Sequence, residues 1–475
     1  MPGPKQNKKV ESRFLLAYPN GNEEGIGSLK DLKKLEDKLL KRFAAIDVFQ
    51  KAPTVSQKMP AHIEFMKKLE MVGYEPASDA GHMRFYPAGT LVKDLLEDLA
   101  YQIAIVDLKA MKIKTPIIYN WDEPDIQAQA LGFHEKDYKL NVQDKTFLLK
   151  FAGDFGLFRM MKDAQFSYNQ LPARIYEIAP SFRLEQRGEV SGLRRLRAFT
   201  MPDIHSFCKN IDQGKDEFRE LYSYYNKFLN VIGLPYALAF RTTEDFWKTD
   251  KPVIVELLKI SQKPALVEVL DKMKHYWVVK EEFQYVDSQG KNAQLSTVQL
   301  DIIDGKRYGI NYTDSDGSKK PCMIVHSSMG SLERWMYALL EEAQNMGLRG
   351  QRPSLPVWLS PTQVRLIPVS EKHLVYCEDL SKKIASHNVR VDIDDTENSV
   401  GKKIRKAETS WVPYSLVIGD VELSGDIYKV RIRSDKATKE MTYEQFIDEI
   451  ASQTRNRPFK ELYLPKLLSK RIRFE

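Results

Sequence analysis

Arg174–Phe207 reads RIYEIAPSFRLEQRGEVSGLRRLRAFTMPDIHSF, and the rest of the chain is best approached from this stretch. Both ends have the composition of short strands, and a polar, arginine-rich loop carrying Gly188 and Gly192 lies between them. Phe182-Arg183-Leu184-Glu185 is followed by Arg194-Arg195-Leu196-Arg197-Ala198-Phe199. Two strands joined by such a loop can hold a polyphosphate. Guanidinium forks pair bidentately with phosphate oxygens, and their charge stabilises what develops during phosphoryl or adenylyl transfer. Taken alone, an arginine-rich hairpin is more often a solvated face.

Working outward, SLKDLKKLEDKLLKRFAAI from Ser28 begins a charge-rich segment of helical spacing that runs to about Leu69. TLVKDLLEDLAYQIAIVDLKAM, Thr90–Met111, reads as an amphipathic helix, and the β-like run KTPIIYNW after it contains Pro116, which suits an edge or a bend. Beyond the hairpin, KDEFRELYSYYNKFLNVIG reads as a helix capped by Gly233. Strand-like runs follow at YALAFRTT, YWVVKEEFQYV, STVQLDII and KRYGINYT, and the helix GSLERWMYALLEEAQ closes the region near residue 345. Gly347–Pro361 reads as a linker. After it VRLIPV, VRVDID and YSLVIG alternate with the helical runs HLVYCEDLSKKIAS and KKIRKAETS, the pattern of a small α/β domain. The expected organisation is an N-terminal helical extension (1–75), a larger α+β domain (76–350) and a C-terminal α/β domain (351–475).

Composition narrows the class. Of 475 residues 43% are hydrophobic and 29% charged, which suits neither a disordered nor a membrane chain. No run approaches the roughly 20 apolar residues of a spanning helix. MPGPKQNKKVESR is no secretory signal, and Cys208, Cys322 and Cys377 have no short-spaced pairing, so a cytoplasmic protein is expected. The net charge of +7 is mild, but Arg183–Arg197, Lys402–Lys406 and Lys466–Arg473 are locally basic, as a surface meeting phosphates is. Neither GxGxxG nor GxxxxGK[ST] occurs, so the two common nucleotide cradles are excluded.

The arginine hairpin resembles motif 2 of class II aminoacyl-tRNA synthetases in its threonyl form. MGSLERWMYALLEE, with Gly330, Glu333 and Arg334, resembles motif 3, and Thr90–Pro116 resembles motif 1, the dimer-interface element. AQLSTVQLD, Ala293–Asp301, resembles a further strand of threonyl-type sites. The three motifs stand in the family's order, and the resemblance, to archaeal-type threonyl-tRNA synthetases, spans roughly Pro60 to the C-terminus. It implies an antiparallel sheet of six or seven strands flanked by helices, a C-terminal anticodon-binding domain, and a homodimer. The implied activity is a threonine–tRNA ligase acting on ATP, threonine and tRNA(Thr), with Mg²⁺ accompanying ATP. Carried over by position, Arg183 would clamp the α-phosphate, Glu185 would meet the adenine edge, and Phe199 would stack on the adenine face, although a lone aromatic there also suits a core. Arg195 would reach the distal phosphates and Arg334 the γ-phosphate. Gln294, Thr297 and Gln299 would line the ATP and amino-acid pocket.

The family holds a zinc with one Cys and two His. A metal that binds a hydroxyl rejects valine far better than a hydrophobic pocket rejects an isostere. His205 and His326 match two ligand positions; the Cys position is Asp154, in FAGDFGLF. A His₂Asp site with an open position is chemically reasonable, and loss or change of the metal is the alternative. Asp203, two residues from His205 and so on the same strand face, would accept the threonine hydroxyl. Met201 replaces a glutamine found near the amino group in bacterial relatives, so no contact is assigned to it.

In the C-terminal domain Arg405, Glu422 and Arg431 match anticodon-reading positions, and Glu397 and Asn398 lie near a further one; such side chains suit unstacked bases. Lys402, Lys403 and Lys406 read equally as a solvated helix face. Only about 75 residues precede the catalytic region, too few for the family's N-terminal editing domain. A hydroxyl-binding site rejects serine by only about 1–3 kcal/mol, so mischarged serine is expected to be cleared by a separate editing protein in trans. Two rival readings remain: a class II enzyme for serine or proline, and a synthetase-like tRNA-binding protein without activation.

Overall fold

A computed structural model describes residues 10–51, 59–131, 136–186 and 188–474. The chain divides into two compact units, residues 1–57 with 100–335 and residues 58–99 with 336–475.

The first unit is built on a ten-stranded sheet. Its strands are β1 (Ser12–Ala17), β2 (Glu23–Gly25), β3 (Met111–Lys112), β4 (Ala173–Phe182), β5 (Ala198–Cys208), β6 (Ala237–Thr243), β7 (Ala265–Leu270), β8 (Trp277–Val286), β9 (Asn292–Asp301) and β10 (Met323–Ser328). They lie in the order β2-β1-β7-β6-β8-β9-β10-β5-β4-β3. All neighbours are antiparallel except β6 with β7 and β3 with β4. The antiparallel class II architecture expected from the sequence is therefore present in a wider, mixed sheet.

Part of the extra width corrects the expected N-terminal helical extension, since residues 12–17 and 23–25 within it are strands of this sheet. Ser12–Ala17 pairs along its whole length with β7. Its hairpin to β2 turns at Tyr18–Asn22, where Gly21 sits at φ +87° and Tyr18 N–H donates to Asn22 O at 3.0 Å. The turn residues are Pro19-Asn20-Gly21-Asn22, types that tight turns favour. Helix α1 (Lys38–Asp47), capped by the Asp37 carboxylate, buries Leu40, Phe43 and Ala44 with Leu16, Ala237 and Leu266 of the sheet.

The Thr90–Met111 helix begins earlier and ends sooner: α2 spans Pro87–Tyr101 and loosens into a π-helical turn over Gln102–Asp107. Helix α3 is Asp154–Asp163. Helix α4 (Ile211–Ile232) covers one face of β5, β9 and β10. It starts where the Asn210 side chain accepts from Gln213 N–H at 2.9 Å and stops at Gly233, φ +77°. Phe218, Leu221, Tyr222, Tyr225, Phe228 and Leu229 form its buried stripe, an apolar face at helical spacing. Helix α5 is Glu244–Ser261 and α6 is Leu332–Leu348.

The second unit contains a five-stranded sheet of β11 (Val364–Pro368), β12 (Val391–Ile393), β13 (Tyr414–Ile418), β14 (Ile427–Ile432) and β15 (Ala437–Thr442), in the order β12-β11-β13-β14-β15. The first three are parallel and the last two antiparallel to their neighbours. Parallel strands need crossover helices, and α7 (Leu374–Ala385) and α8 (Val400–Thr409) supply them; α9 (Tyr443–Thr454) follows β15. Val364, Leu366, Leu416, Ile418, Val430 and Phe446 lie in its core. Among the described residues no helix is long and apolar enough to cross a membrane.

Candidate active site

Strand register assembles the site. Across β5, β10, β9 and β8, His205 faces His326, His326 faces Gln299, and Gln299 faces Lys280. Two residues along, Asp203 faces Ser328, Ser328 faces Thr297, and Thr297 faces Glu282. Side chains two apart share a face, so four strands from distant parts of the chain present two polar rows side by side. Above them is a cavity of about 340 Å³ lined by Asp154, Arg183, Phe199, Asp203, His205, Gln294, Thr297, Gln299, His326 and Arg334. These are ten of the twelve residues expected there.

The other two, Glu185 and Arg195, belong to the hairpin but do not line the cavity. The Glu185 carboxylate accepts from Lys136 Nζ at 2.8 Å, and its backbone oxygen accepts from Arg197 Nε at 2.9 Å. Arg195 pairs with Glu189 at 3.1 Å. Arg183 N–H donates to Arg197 O at 2.8 Å, which closes the hairpin, and Arg183 Nε donates to Phe151 O at 3.0 Å. Its guanidinium stands 5.2 Å from the centroid of the Phe199 ring.

Gly330, φ +86°, makes the turn into α6; a Cβ there would lie 2.1 Å from Leu295 O. Only glycine tolerates both the conformation and the approach. Just past the turn, the buried Glu333 carboxylate accepts from Thr200 N–H at 3.0 Å, and Arg334 Nη1 donates to Gln294 O at 2.8 Å. These bonds tie α6 to β5 and β9. Gly153, also in the lining, has an ordinary backbone conformation, but a Cβ there would meet Asp203 Oδ2 at 2.7 Å.

The three expected metal ligands, Asp154, His205 and His326, share the cavity, and the two imidazole centroids are 5.1 Å apart. It is Asp301, Asp304 and His326, however, whose ligand atoms all lie within 4.8 Å of one another among the described residues. Asp301 already has other work: Oδ2 holds His326 Nε2 at 2.8 Å and Oδ1 accepts from the Ile303 and Asp304 N–H groups at 2.7 and 2.9 Å. A carboxylate on the far nitrogen of an imidazole is the usual support for a metal-binding histidine. Asp154 Oδ1 is buried with no hydrogen-bond partner. Burial, then the charges of His326 and Lys150, hold His205 well below the ordinary histidine range, hence neutral. Neutral imidazole, a carboxylate-supported imidazole and an unpartnered carboxylate oxygen are donor types a divalent metal takes, but the ligand atoms of Asp154, His205 and His326 are not as closely gathered as those of Asp301, Asp304 and His326.

Burial pushes the Asp203 carboxyl up to about 7, with Asp154 adding to the rise against the Ser328 hydrogen bond and the charges of Arg183 and Lys150. Burial also raises Asp154, and it works downward on His326, where Asp301 outweighs it and leaves that imidazole raised. Three participants escaped the sequence reading. Tyr276 lines the cavity and donates to Gln299 Oε1 at 3.0 Å. Lys280 reaches Gln294 Oε1 at 3.3 Å. Lys150, fully buried, bonds Glu177 at 2.8 Å and Thr115 Oγ1 at 2.7 Å beside the site. Tyr276 and Lys280 belong to a run read only as a strand, and no spacing in the sequence marks which of its side chains face the cavity.

The anticodon candidates lie in the second unit. Glu397 is exposed in a bend and Arg405 is exposed on α8. Glu422 Oε2 accepts from Gly419 N–H at 2.9 Å, and Arg431 on β14 pairs with Glu408 at 3.3 Å.

Residues 138–343 match the family described as the tRNA synthetase class II core domain (G, H, P, S and T), and residues 363–453 match the anticodon binding domain. The chain is 41% identical to the threonine–tRNA ligase of Thermococcus kodakarensis, over 99% of this chain and 75% of that protein. With the threonine–tRNA ligase of Pyrococcus horikoshii it shares 42% identity over 92% of this chain and 70% of that protein. In fold it is similar to the crystal structure of the RNA binding domain of threonyl-tRNA synthetase from Cryptosporidium parvum, with TM-score 0.72, 23% identity, and 85% and 99% of the two chains covered. Prolyl-tRNA synthetase from the same organism, complexed with L-proline and AMP, gives TM-score 0.66 at 14% identity, over 85% of this chain and 76% of that one.

Proposed function

The chain belongs to the threonine–tRNA ligase family of class II aminoacyl-tRNA synthetases, and from that premise we propose that its sheet-face cavity activates threonine with ATP and delivers it to tRNA(Thr). The observation that carries the reading is the convergence of Arg183, Arg334, Asp203, His205 and His326 on one cavity.

Arg183, half-buried and braced on Phe151 O, clamps the α-phosphate. It offsets charge as the threonine carboxylate attacks phosphorus in line and pyrophosphate leaves. Phe199 offers its ring to the adenine, and Arg334, pinned to Gln294 O, meets the distal phosphates from the opposite side, with Arg195 on the hairpin beyond. Mg²⁺ accompanying ATP neutralises the leaving group. Asp203 accepts the threonine hydroxyl; Gln299, held by Tyr276, and Thr297 orient the remainder. A ribose hydroxyl of the tRNA then attacks the mixed anhydride and releases AMP. Positioning and electrostatics supply the catalysis.

Asp154, His205 and His326 would hold a zinc ion, which when bound offers open coordination to the threonine amino group and hydroxyl. Asp301 orients His326 for that role. The catalytic domain is the unit that holds the ten-stranded sheet, and the anticodon-binding domain spans residues 363–453, where Arg405, Glu422, Arg431 and Glu397 read bases. The chain works in the cytoplasm as a homodimer. Edge strand β3 supports this, since Met111 and the nearby Val106, Ile117 and Ile118 are exposed, the kind of apolar edge that a second copy covers. Serine lacks one methyl, so it enters the site, and a separate protein clears seryl-tRNA.

The test is amino-acid-dependent ATP–pyrophosphate exchange with threonine, serine, valine and proline, each with and without a zinc chelator. Exchange with threonine far above valine, lost on chelation, is the expected result. A maximum with proline would move the specificity, and no exchange with any amino acid would leave a tRNA-binding protein.

A further inference from the structure

The second unit contains a cavity of about 480 Å³ that has no part in the chemistry above. It lies between the C-terminal stretch Leu464–Phe474, residues 68–71 and 87–88, and the segments around Thr362 and Trp411. Its floor includes Arg365, only 3% exposed. Asp392 uses two of that guanidinium's nitrogens, Nε to Oδ1 and Nη2 to Oδ2, both at 2.8 Å. The third, Nη1, is buried without a partner. Arg471, a second guanidinium in the lining, lies 2.8 Å from the same Asp392 and donates Nε to Pro465 O at 2.9 Å.

The lining carries five cations, Lys68, Arg365, Lys406, Arg471 and Arg473, against one carboxylate, Glu70, which pairs with Arg473 at 3.5 Å. The buried Asp392 and Asp394 balance the charge of the two guanidiniums and Glu70 that of Arg473, so Lys68 and Lys406, both exposed, leave an excess. Trp411, Val412, Leu468 and Met71 supply buried apolar wall. A guanidinium beside an apolar wall pairs with an oxyanion by charge-assisted hydrogen bonds. The volume lies within the range of small-molecule sites, which are mostly apolar with a few convergent polar groups.

We propose that this cavity binds a small organic anion. Its carboxylate or phosphate head would meet the part-exposed Arg471 guanidinium, and its apolar body would lie against Trp411 and Leu468. The inference stands apart from the activation site, which belongs to the other unit.

Calorimetric titration of the full chain with 4-phenylbutyrate, phenyl phosphate and the neutral 4-phenylbutanol tests it, with ATP and threonine present to fill the other cavity. Saturable binding of one anion per chain, with a dissociation constant below about 1 mM and the alcohol at least about tenfold weaker, is expected. The better of the two anions identifies the head group. Arg471→Met should weaken binding by about tenfold or more. Ser410→Phe, at an exposed lining position away from Asp392, should abolish it while threonine-dependent exchange persists. Two results overturn the proposal: no saturation by either anion, or affinity unchanged by Ser410→Phe.

Discussion

Replacing Asp154 by asparagine tests the zinc assignment by the sign of a stability change. The carboxylate is raised by burial, and Oδ1 has no partner. If a metal binds here, the anion is offset by ligation, and a ligand present at about 100 times its dissociation constant stabilises the fold by about 2.7 kcal/mol. At this size about 1 kcal/mol moves the midpoint by roughly 2 °C, so a chelator should lower the wild-type transition by about 5 °C. Asp154→Asn keeps the shape, loses the anionic donor, and should unfold near the chelated wild-type temperature with its chelator response gone. If no metal binds, the substitution instead relieves an unpaired buried charge and stabilises by about 1–3 kcal/mol. Thermal unfolding of both proteins with and without chelator, alongside zinc per chain by atomic emission, separates the cases. A wild type indifferent to chelator and free of zinc, with Asp154→Asn more stable, would refute the assignment.

Four further outcomes follow from the same geometry. Arg183→Ala should lower the rate of threonine-dependent exchange by about 100- to 1,000-fold while leaving threonine binding measurable by calorimetry. Gly330→Ala puts a Cβ 2.1 Å from Leu295 O at φ +86°; displacement of the turn that bears Arg334 should cost about 100-fold in kcat with unchanged circular dichroism. Burial acts to raise Glu282, but Lys280 and Arg241 outweigh it and bring it from the usual 4.5 down to about 2. The unfolded state therefore binds the proton first on acidification, and about 3 kcal/mol of stability is lost as pH falls from about 4.5 to about 2; Glu282→Gln should flatten the unfolding free energy across that window. Arg405→Ala should raise the KM for tRNA by about tenfold with exchange activity unaltered, and an equal loss in both assays would count against an anticodon role.

The arginine hairpin, the glycine turn before Arg334 and the α/β pattern after residue 361 were all readable in advance. Their residue types are dictated locally: glycine by backbone conformation, arginine by phosphate, alternating strands and helices by a sheet covered with crossovers. The hairpin that starts the large sheet was not expected, because the charged helical segment after it gave residues 1–75 the look of a helical extension. Its two strands, Ser12–Ala17 and Glu23–Gly25, have too few residues to show a face. What the sheet adds at that edge depends on pairing with Ala265–Leu270, some 250 residues away, and composition carries no trace of such a partner.

Motif order and residue type by themselves determined the family, the activity and ten residues of the cavity, because each of those residues is constrained by chemistry that its own segment must provide. The tertiary structure alone decided how these residues are tuned. That Asp301 supports His326, that Tyr276 holds Gln299, and that Glu185 turns to Lys136 rather than into the cavity are facts of strand register and packing. The sheet brings β5, β8, β9 and β10 side by side although they are far apart in the chain. Which side chains then meet across it is set by pairing geometry, and so is which carboxylates lose water and rise, or gain a cation and fall. No local pattern encodes that pairing, because it follows from the burial of the whole sheet at once.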